Sequence, residues 1–142
     1  MTTIRVLAFT ASCNRPLFLR HCILQLQQQS YTCSHGIFIN SNKFQSGNDP
    51  TNYCPLLNDI PISKGSNVKI AYGKQRHQHF NHIFAIEQFD ISNFDLFIKI
   101  DDDDIYRQDY VQSVVKDFTD NQWDFSGTFS ENIIQNNQFN NK

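Results

Sequence analysis

Four consecutive aspartates, Asp101, Asp102, Asp103 and Asp104, form the segment of this chain with the clearest capacity for chemistry. Neighbouring carboxylates repel one another, which raises carboxyl pKa values where no cation is near. A hard divalent cation with oxygen ligands, such as Mg²⁺, Mn²⁺ or Ca²⁺, is the simplest source of compensating charge. A solvated acidic loop, or an acidic helix N-terminus stabilised by the helix dipole, is the alternative interpretation.

The residues before and after the acidic run predict the elements that position it. Residues 94–100 are short and apolar, which predicts a buried strand that leads directly into Asp101. We expect further strands over residues 4–9, 36–39, 68–72 and 123–129. Apolar residues at helical spacing predict helices over residues 17–28, 75–89 and 109–118, and residues 43–67 predict a long loop.

The first predicted helix follows a start signal, because Asn14 can cap a helix and Pro16 fits its first turn. Its expected apolar face consists of four residues at helical spacing: Phe18, Cys22, Ile23 and Leu26. Three consecutive glutamines at 27–29 predict that this helix ends in solvent.

Strands that alternate with helices predict an α/β fold with a Rossmann-like, mostly parallel sheet flanked by helices. Ligands of such sheets bind beyond the carboxyl ends of the strands. Residues 10–15, 40–42 and 101–104 all follow predicted strands, so we expect them to share one rim.

Length and composition fit one folded unit. The 142 residues predict a domain over residues 1–130 and a polar, frayed tail over residues 131–142. A net charge of −2 argues against a nucleic-acid partner or a polybasic membrane surface. No apolar run approaches 18 residues, so no transmembrane segment is expected. The four cysteines contain no C-x-x-C pair and are interpreted as reduced thiols of a cytosolic protein.

Four segments, in this order, resemble family 2 glycosyltransferases of the GT-A fold. The residues at 9–16 (FTASCNRP) resemble the family's first strand and turn, and those at 39–42 (INSN) follow its second strand. Residues 79–83 (HFNHI) resemble a helix of the family, and residues 100–106 (IDDDDIY) resemble its D-x-D segment. The resemblance spans roughly residues 4–129, which corresponds to the N-terminal, nucleotide-sugar-binding part of such enzymes.

The resemblance implies a role for each matching position. The implied nucleotide-sugar-binding residues are Ala11, Cys13, Arg15, Asn40, Ser41, Lys74, Arg76, Asp101 and Asp102. Within that set, Ala11 and Cys13 would lie along the nucleoside, and Asn40 or Ser41 would face the base or ribose. Asp103 would hold the metal ion, Mn²⁺ or Mg²⁺, with Asp101 and Asp104 beside it.

The resemblance also implies a hexosyltransferase-like enzyme that takes a nucleotide-diphosphate sugar, with a UDP-sugar as the expected donor. The acceptor would be a glycan or a lipid-linked molecule in polysaccharide biosynthesis. The enzyme would be cytoplasmic, peripheral at the inner membrane face, and an exposed sheet edge would favour a homo-oligomer. The family's catalytic base lies beyond the D-x-D segment, and Glu131 is the only carboxylate after Asp124. We therefore expect an incomplete enzyme whose catalytic base is not in the chain.

Two alternatives remain open from the sequence. A haloacid-dehalogenase-like phosphotransferase would also place a D-x-D pair, here Asp101 and Asp103, at the end of a parallel strand. A non-catalytic sugar-nucleotide-binding domain would need the same cleft without the chemistry. His77, His79 and His82 cluster on the second long predicted helix, where exposed or capping roles are expected rather than a metal site.

Overall fold

The computed structural model describes residues 2–40, 67–74 and 77–127, together with the backbone of two short strands at 132–135 and 138–141. The strands are β1 (Val6–Cys13), β2 (Ser34–Asn40), β3 (Val68–Gly73), β4 (Leu96–Lys99), β5 (Asn132–Gln135) and β6 (Gln138–Asn141). The helices are α1 (Pro16–Gln27), α2 (Gln78–Glu87) and α3 (Tyr110–Asn121), with a 3₁₀ turn at Ile91–Asn93. The predicted long loop at 43–67 lies, except for Asn67, outside the described residues.

A four-stranded sheet with the order β3-β2-β1-β4 forms the centre of the described fold. All of its strand pairs are parallel, which confirms the predicted α/β class with a Rossmann-like parallel sheet flanked by helices. From β1 the chain builds outward through β2 to β3, and it then returns to place β4 on the other side of β1. The strand order therefore reverses between β1 and β4, where open α/β sheets bind ligands.

Helices cover both faces of the sheet because alternate strand residues are apolar on either side. On one face, α1 and α3 pack against β1 and β4 through a core cluster of Val6, Ala8, Cys22, Leu26, Leu96, Ile98, Ile100, Val111 and Val115. On the other face α2 packs directly on β2. A Cβ atom at Gly36 would lie 2.1 Å from the Ala85 carbonyl oxygen, so this contact needs a glycine.

An ion pair joins Arg5 and Asp95, the residues that immediately precede the neighbouring strands β1 and β4, at the end of the sheet opposite the candidate site. The Arg5 guanidinium reaches both carboxylate oxygens of Asp95 at 2.8 and 3.0 Å, and the Arg5 backbone N–H donates to Asp95 as well. These hydrogen bonds lower the pKa of Asp95 to about 2.

Several local predictions differ from the structure. The helix start predicted at Asn14 is wrong in detail, because Arg15 is the N-cap residue and Asn14 adopts a positive φ of 53°. On α1 the buried face contains Leu19, whereas Phe18 is 53% exposed. The strand predicted over residues 123–129 is wrong for its described part, 123–127, which is irregular; residues 128 and 129 lie outside the described chain.

The remaining sequence predictions fare as follows. The last two strands, β5 and β6, pair antiparallel with each other within the predicted tail. Cys13, Cys22 and Cys33 are free thiols, and Cys54 lies outside the described residues. His77 caps α2, because its Nδ1 accepts a hydrogen bond from the His79 backbone at 3.4 Å. None of the helices in the described ranges is both long and apolar enough to cross a membrane.

Candidate functional site

The end of β1 brings the chain sharply into α1. The strand continues to Cys13, and the next residue, Asn14, turns the backbone through the left-handed region with a φ of 53°. Asparagine tolerates this conformation better than most residues. Pro16 then begins α1, and Arg15 has no side-chain capping bond to the helix. This turn leaves the Arg15 guanidinium available for contacts at the rim of the sheet.

Asp102 is the buried member of the acidic run, with a side chain that is 1% exposed. One carboxylate oxygen accepts a hydrogen bond of 2.7 Å from Ser12 Oγ, which comes from the end of β1. The other oxygen, Oδ1, lies 2.6 Å from Arg15 Nη2 in an ion pair, although no hydrogen bond of good geometry reaches it. Burial raises the pKa of Asp102, and the Ser12 hydrogen bond and the Arg15 charge oppose that rise.

The other three aspartates are held by different partners. Asp103 is half-exposed and pairs with the second terminal nitrogen of Arg15 at 3.0 Å. Asp101 pairs with Lys99 at 3.1 Å. A carboxylate oxygen of Asp104 accepts a 3.5 Å hydrogen bond from the Tyr106 hydroxyl. Arg15 and Lys99 therefore pair with three of the four carboxylates.

Two glutamines, Gln25 in α1 and Gln29 just after it, fix the segment that follows the acidic run. Gln25 donates to the Asp104 carbonyl at 3.1 Å and accepts from the Tyr106 N–H at 2.7 Å. One turn later, Gln29 donates to the Arg107 carbonyl at 2.8 Å and accepts from the Val111 N–H at 3.0 Å. The side-chain amides therefore satisfy four backbone groups that would otherwise need water. Gln27 and Gln28 are exposed, as predicted for the end of this helix, whereas Gln29 is half-buried.

A cleft of about 210 Å³ opens at the same rim, between the ends of β1 and β2 and the start of α2. It is smaller than the roughly 300–1,000 Å³ of pockets that enclose whole ligands. Its lining residues are Ala11, Ser12, Cys13, Arg15, Asn40, Gln78 and Asn81. Asn40 is buried, and its side-chain amide donates to the Ser12 carbonyl at 3.3 Å, which ties the two strand ends together.

The structure brings together most of the residues that the sequence singled out. Ala11, Cys13, Arg15 and Asn40 line the cleft, and Arg15 links it to Asp102 and Asp103. Lys74 follows β3, is exposed and does not line the cleft. Ser41 and Arg76 lie outside the described residues. Within the described ranges, no three His, Cys, Asp or Glu side chains converge as a preformed metal site.

Sequence reasoning missed the supporting residues of the site. Ser12 is buried against Asp102, and Gln78 and Asn81 contribute the α2 side of the cleft. Ser12 lies within the segment 10–15 that was predicted to reach the rim, and it is a polar residue between Ala11 and Cys13, which were predicted to bind. No comparable signal marks Gln25, which is one polar residue among several on an amphipathic helix.

Comparison with known proteins adds no relative. No protein-family model matches the chain, and no curated protein matches it by sequence.

Proposed function

We propose that this chain is the nucleotide-sugar-binding portion of a metal-dependent glycosyltransferase with a GT-A-type fold. The observation that carries the proposal is the placement of Asp102. Its side chain is buried just after β4 and accepts a hydrogen bond from Ser12 of β1. It also forms an ion pair with Arg15, which lines the adjacent cleft. This is the position where parallel α/β sheets bind nucleotides.

The donor chemistry of the site fits a hard divalent ion, because all of the candidate ligands are carboxylate oxygens. Asp102 Oδ1 is also a buried carboxylate oxygen, which pairs with the Arg15 guanidinium at 2.6 Å and accepts no hydrogen bond of good geometry among the described residues. Asp103 would hold Mn²⁺ or Mg²⁺, with Asp101 and Asp104 beside it. When bound, such an ion supplies Lewis-acid neutralisation of the charge on the leaving nucleoside diphosphate.

The remaining roles in this proposal belong to the chain's own groups. The backbone at Ala11 and Cys13 forms the wall along which a nucleoside would lie. The Asn40 carboxamide would face the base or ribose, and Asp102 would accept a hydrogen bond from a ribose or sugar hydroxyl. Arg15 supplies a cation next to the diphosphate. Lys74 and, outside the described residues, Ser41 and Arg76 complete the proposed binding set. The acceptor would be a glycan or lipid-linked molecule, and a UDP-sugar is the expected donor.

Two alternatives compete with this proposal. The phosphotransferase reading needs Asp101 and Asp103 to act together at the strand end. Those two side chains are both about half-exposed and pair with different cations, Lys99 and Arg15. A non-catalytic sugar-nucleotide-binding domain would share every feature described above, and turnover of a nucleotide sugar is the measurement that separates it from an enzyme.

Thermal unfolding with a panel of nucleoside diphosphates tests the binding function. At a ligand concentration about 100 times Kd, binding should stabilise the native chain by about 2.7 kcal/mol, which raises Tm by several degrees. We expect this gain with a uridine diphosphate in the presence of Mn²⁺, and we expect Asp103→Ala to abolish it.

Asp120→Ala is the matched control, because Asp120 is an exposed aspartate of α3 that pairs with Lys116 instead of Arg15. This variant should retain the gain in Tm. Absence of any gain in the wild-type chain, or an equal gain in Asp103→Ala, would contradict the proposal. A gain with inorganic phosphate and Mg²⁺ alone would favour the phosphotransferase.

A further inference from the structure

Arg15 forms a two-pronged contact with the acidic run. Its two terminal nitrogens reach different aspartates, Asp102 at 2.6 Å and Asp103 at 3.0 Å. One guanidinium thus supplies positive charge to two neighbouring carboxylates. That is the electrostatic role which a divalent ion would have at the same place.

We propose that Arg15 is a built-in counter-ion that competes with the divalent ion for these carboxylates and is released towards the diphosphate when the ligands bind. The inference rests on the proposed function, because it takes Asp103 as a metal ligand and Asp102 as a donor-binding residue. The new element is a coupling between binding of the divalent ion and binding of the nucleoside diphosphate.

The surroundings of Arg15 allow this movement. Its side chain is 41% exposed, so water reaches the guanidinium in its present position. When Arg15 leaves, the buried carboxylate of Asp102 keeps the 2.7 Å hydrogen bond from Ser12, so that one of its oxygens remains satisfied. The cost of release falls on the buried half of the contact, at Asp102 Oδ1, because water replaces the guanidinium only at the exposed Asp103. Release of Arg15 is therefore favoured only when a bound cation replaces its charge.

The released guanidinium would remain at the cleft, because Arg15 is one of the residues that line it. Guanidinium groups bind phosphate oxygens in a bidentate manner, so a nucleoside diphosphate in the cleft offers Arg15 a second anionic partner. Each ligand would then favour the same Arg15 position, and each would raise the affinity of the chain for the other.

Removal of the Arg15 charge provides the test. In the nucleotide-free chain, Arg15→Met should bind Mn²⁺ more tightly than the wild type, by roughly 5- to 150-fold for a coupling of ordinary size. The affinity for Mn²⁺ can be measured by titration calorimetry or by electron paramagnetic resonance of the free ion. In the same variant, Mn²⁺ should enhance binding of a nucleoside diphosphate less than it does in the wild type.

Arg107→Met is the matched control, because Arg107 is an exposed arginine beside the acidic run whose side chain pairs with Asp109. Its affinity for Mn²⁺ should equal that of the wild type. If Arg15→Met does not fold, Arg15→Lys carries the test, because one ammonium group cannot reproduce the two-pronged contact and Mn²⁺ affinity should again rise. In the wild type, the side-chain Nε resonance of Arg15 should shift saturably during a Mg²⁺ titration.

The outcomes separate this inference from the proposed function. Tighter Mn²⁺ binding in Arg15→Met with no effect of any nucleoside diphosphate would support the counter-ion role and contradict the donor-binding role. Nucleotide stabilisation of the wild type together with unchanged or weaker Mn²⁺ binding in the folded Arg15 variants would overturn the inference alone. An Arg15 resonance that does not move at saturating Mg²⁺ would overturn it too.

Discussion

Asp102 is a buried carboxyl group, and burial of its charged form lowers the free energy of unfolding at neutral pH. Burial raises the pKa of Asp102. The folded chain therefore binds this proton more tightly than the unfolded chain does, so the contribution of Asp102 to stability is greatest at low pH. That contribution is lost as the pH rises from about 3.8 through the raised native pKa.

Asp102→Asn should accordingly stabilise the ligand-free chain at pH 7. The expected gain in the free energy of unfolding is up to about 1 kcal/mol, which is the net contribution of a single hydrogen bond. An asparagine can still accept the Ser12 hydrogen bond, and Arg15 retains Asp103. Urea unfolding at pH 7 and pH 4 measures the effect, which should be smaller at pH 4. Loss of stability at pH 7 would show that the Arg15 ion pair outweighs the burial of the charge.

Asp95→Asn is the control of opposite sign. Hydrogen bonds from Arg5 lower the pKa of Asp95 to about 2. The stability that Asp95 contributes is therefore present above about pH 4 and lost as the pH falls through its native pKa. At pH 7, Asp95→Asn should lose stability, whereas Asp102→Asn should gain it.

His35, in β2, gives the stability of the chain a second dependence on pH. Its ring is fully buried in β2, with Nε2 2.7 Å from Thr10 Oγ1, and burial lowers its pKa to about 3. Between pH 6.5 and pH 3 the unfolded chain holds a proton that the native chain does not, so stability falls as the pH falls.

Between pH 7 and pH 5 this difference amounts to a loss of about 2 kcal/mol, at 1.36 kcal/mol per pH unit below 6.5. His35→Gln should remove most of that loss, whatever its effect on stability at pH 7. The measurement is the free energy of unfolding in urea at several pH values. An unchanged slope in the variant would mean that His35 is protonated in the native chain.

At the scale of elements, the contact between α2 and β2 depends on a glycine. A Cβ at Gly36 would meet the Ala85 backbone, with 2.1 Å to the carbonyl oxygen, so Gly36→Ala must push α2 away from the sheet. Overpacking of this kind costs roughly 1–3 kcal/mol. Because α2 contributes Gln78 and Asn81 to the cleft, we expect the variant to lose both stability and nucleotide affinity.

Gly73→Ala is the comparison for this prediction. A Cβ at Gly73 would approach the tip of the Phe38 ring, at 2.5 Å, and an aromatic side chain can rotate or shift more easily than a helix backbone. Chemical denaturation of both variants should show a larger loss for Gly36→Ala. Equal losses would indicate that α2 tolerates displacement from β2.

The sequence predicted elements better than it predicted their details, and the reasons are physical. Short apolar runs located the four strands of the sheet, and apolar residues at helical spacing located α3, whose Val111 and Val115 are buried. The buried face of α1 was predicted correctly at Cys22, Ile23 and Leu26 and wrongly at Phe18, whose place is taken by Leu19. Both Phe18 and Leu19 are apolar and lie close to this face, so their spacing alone did not distinguish them.

The fifth predicted strand failed because local aromatic contacts compete with strand pairing. The Trp123 indole N–H donates to Asp117 at 2.7 Å, and its ring packs 5.3 Å from the Phe118 ring. Trp123 therefore folds back on α3. The roles of Gln25 and Gln29 could not be predicted from the sequence, because their hydrogen-bond partners lie about 80 residues away in the chain. Local spacing contains no information on such contacts.

At the scale of the whole molecule, the described core ends before the tail. Every buried apolar side chain in the described ranges lies between Val6 and Val115. The two tail strands, β5 and β6, pair with each other and not with the parallel sheet. The division into a domain at 1–130 and a tail at 131–142 remains a prediction.

A chain that ends at residue 130 tests that division. Because no tail strand pairs with the sheet, we expect its Tm to lie within about 3 °C of the full chain, less than roughly 1 kcal/mol for a domain of this size. A shorter chain that ends at residue 108 is the control. It lacks α3, and with it the buried Val111 and Val115, so it should fail to unfold cooperatively. If the chain ending at 130 unfolds like this control, the tail is part of the folded unit and the domain boundary is wrong.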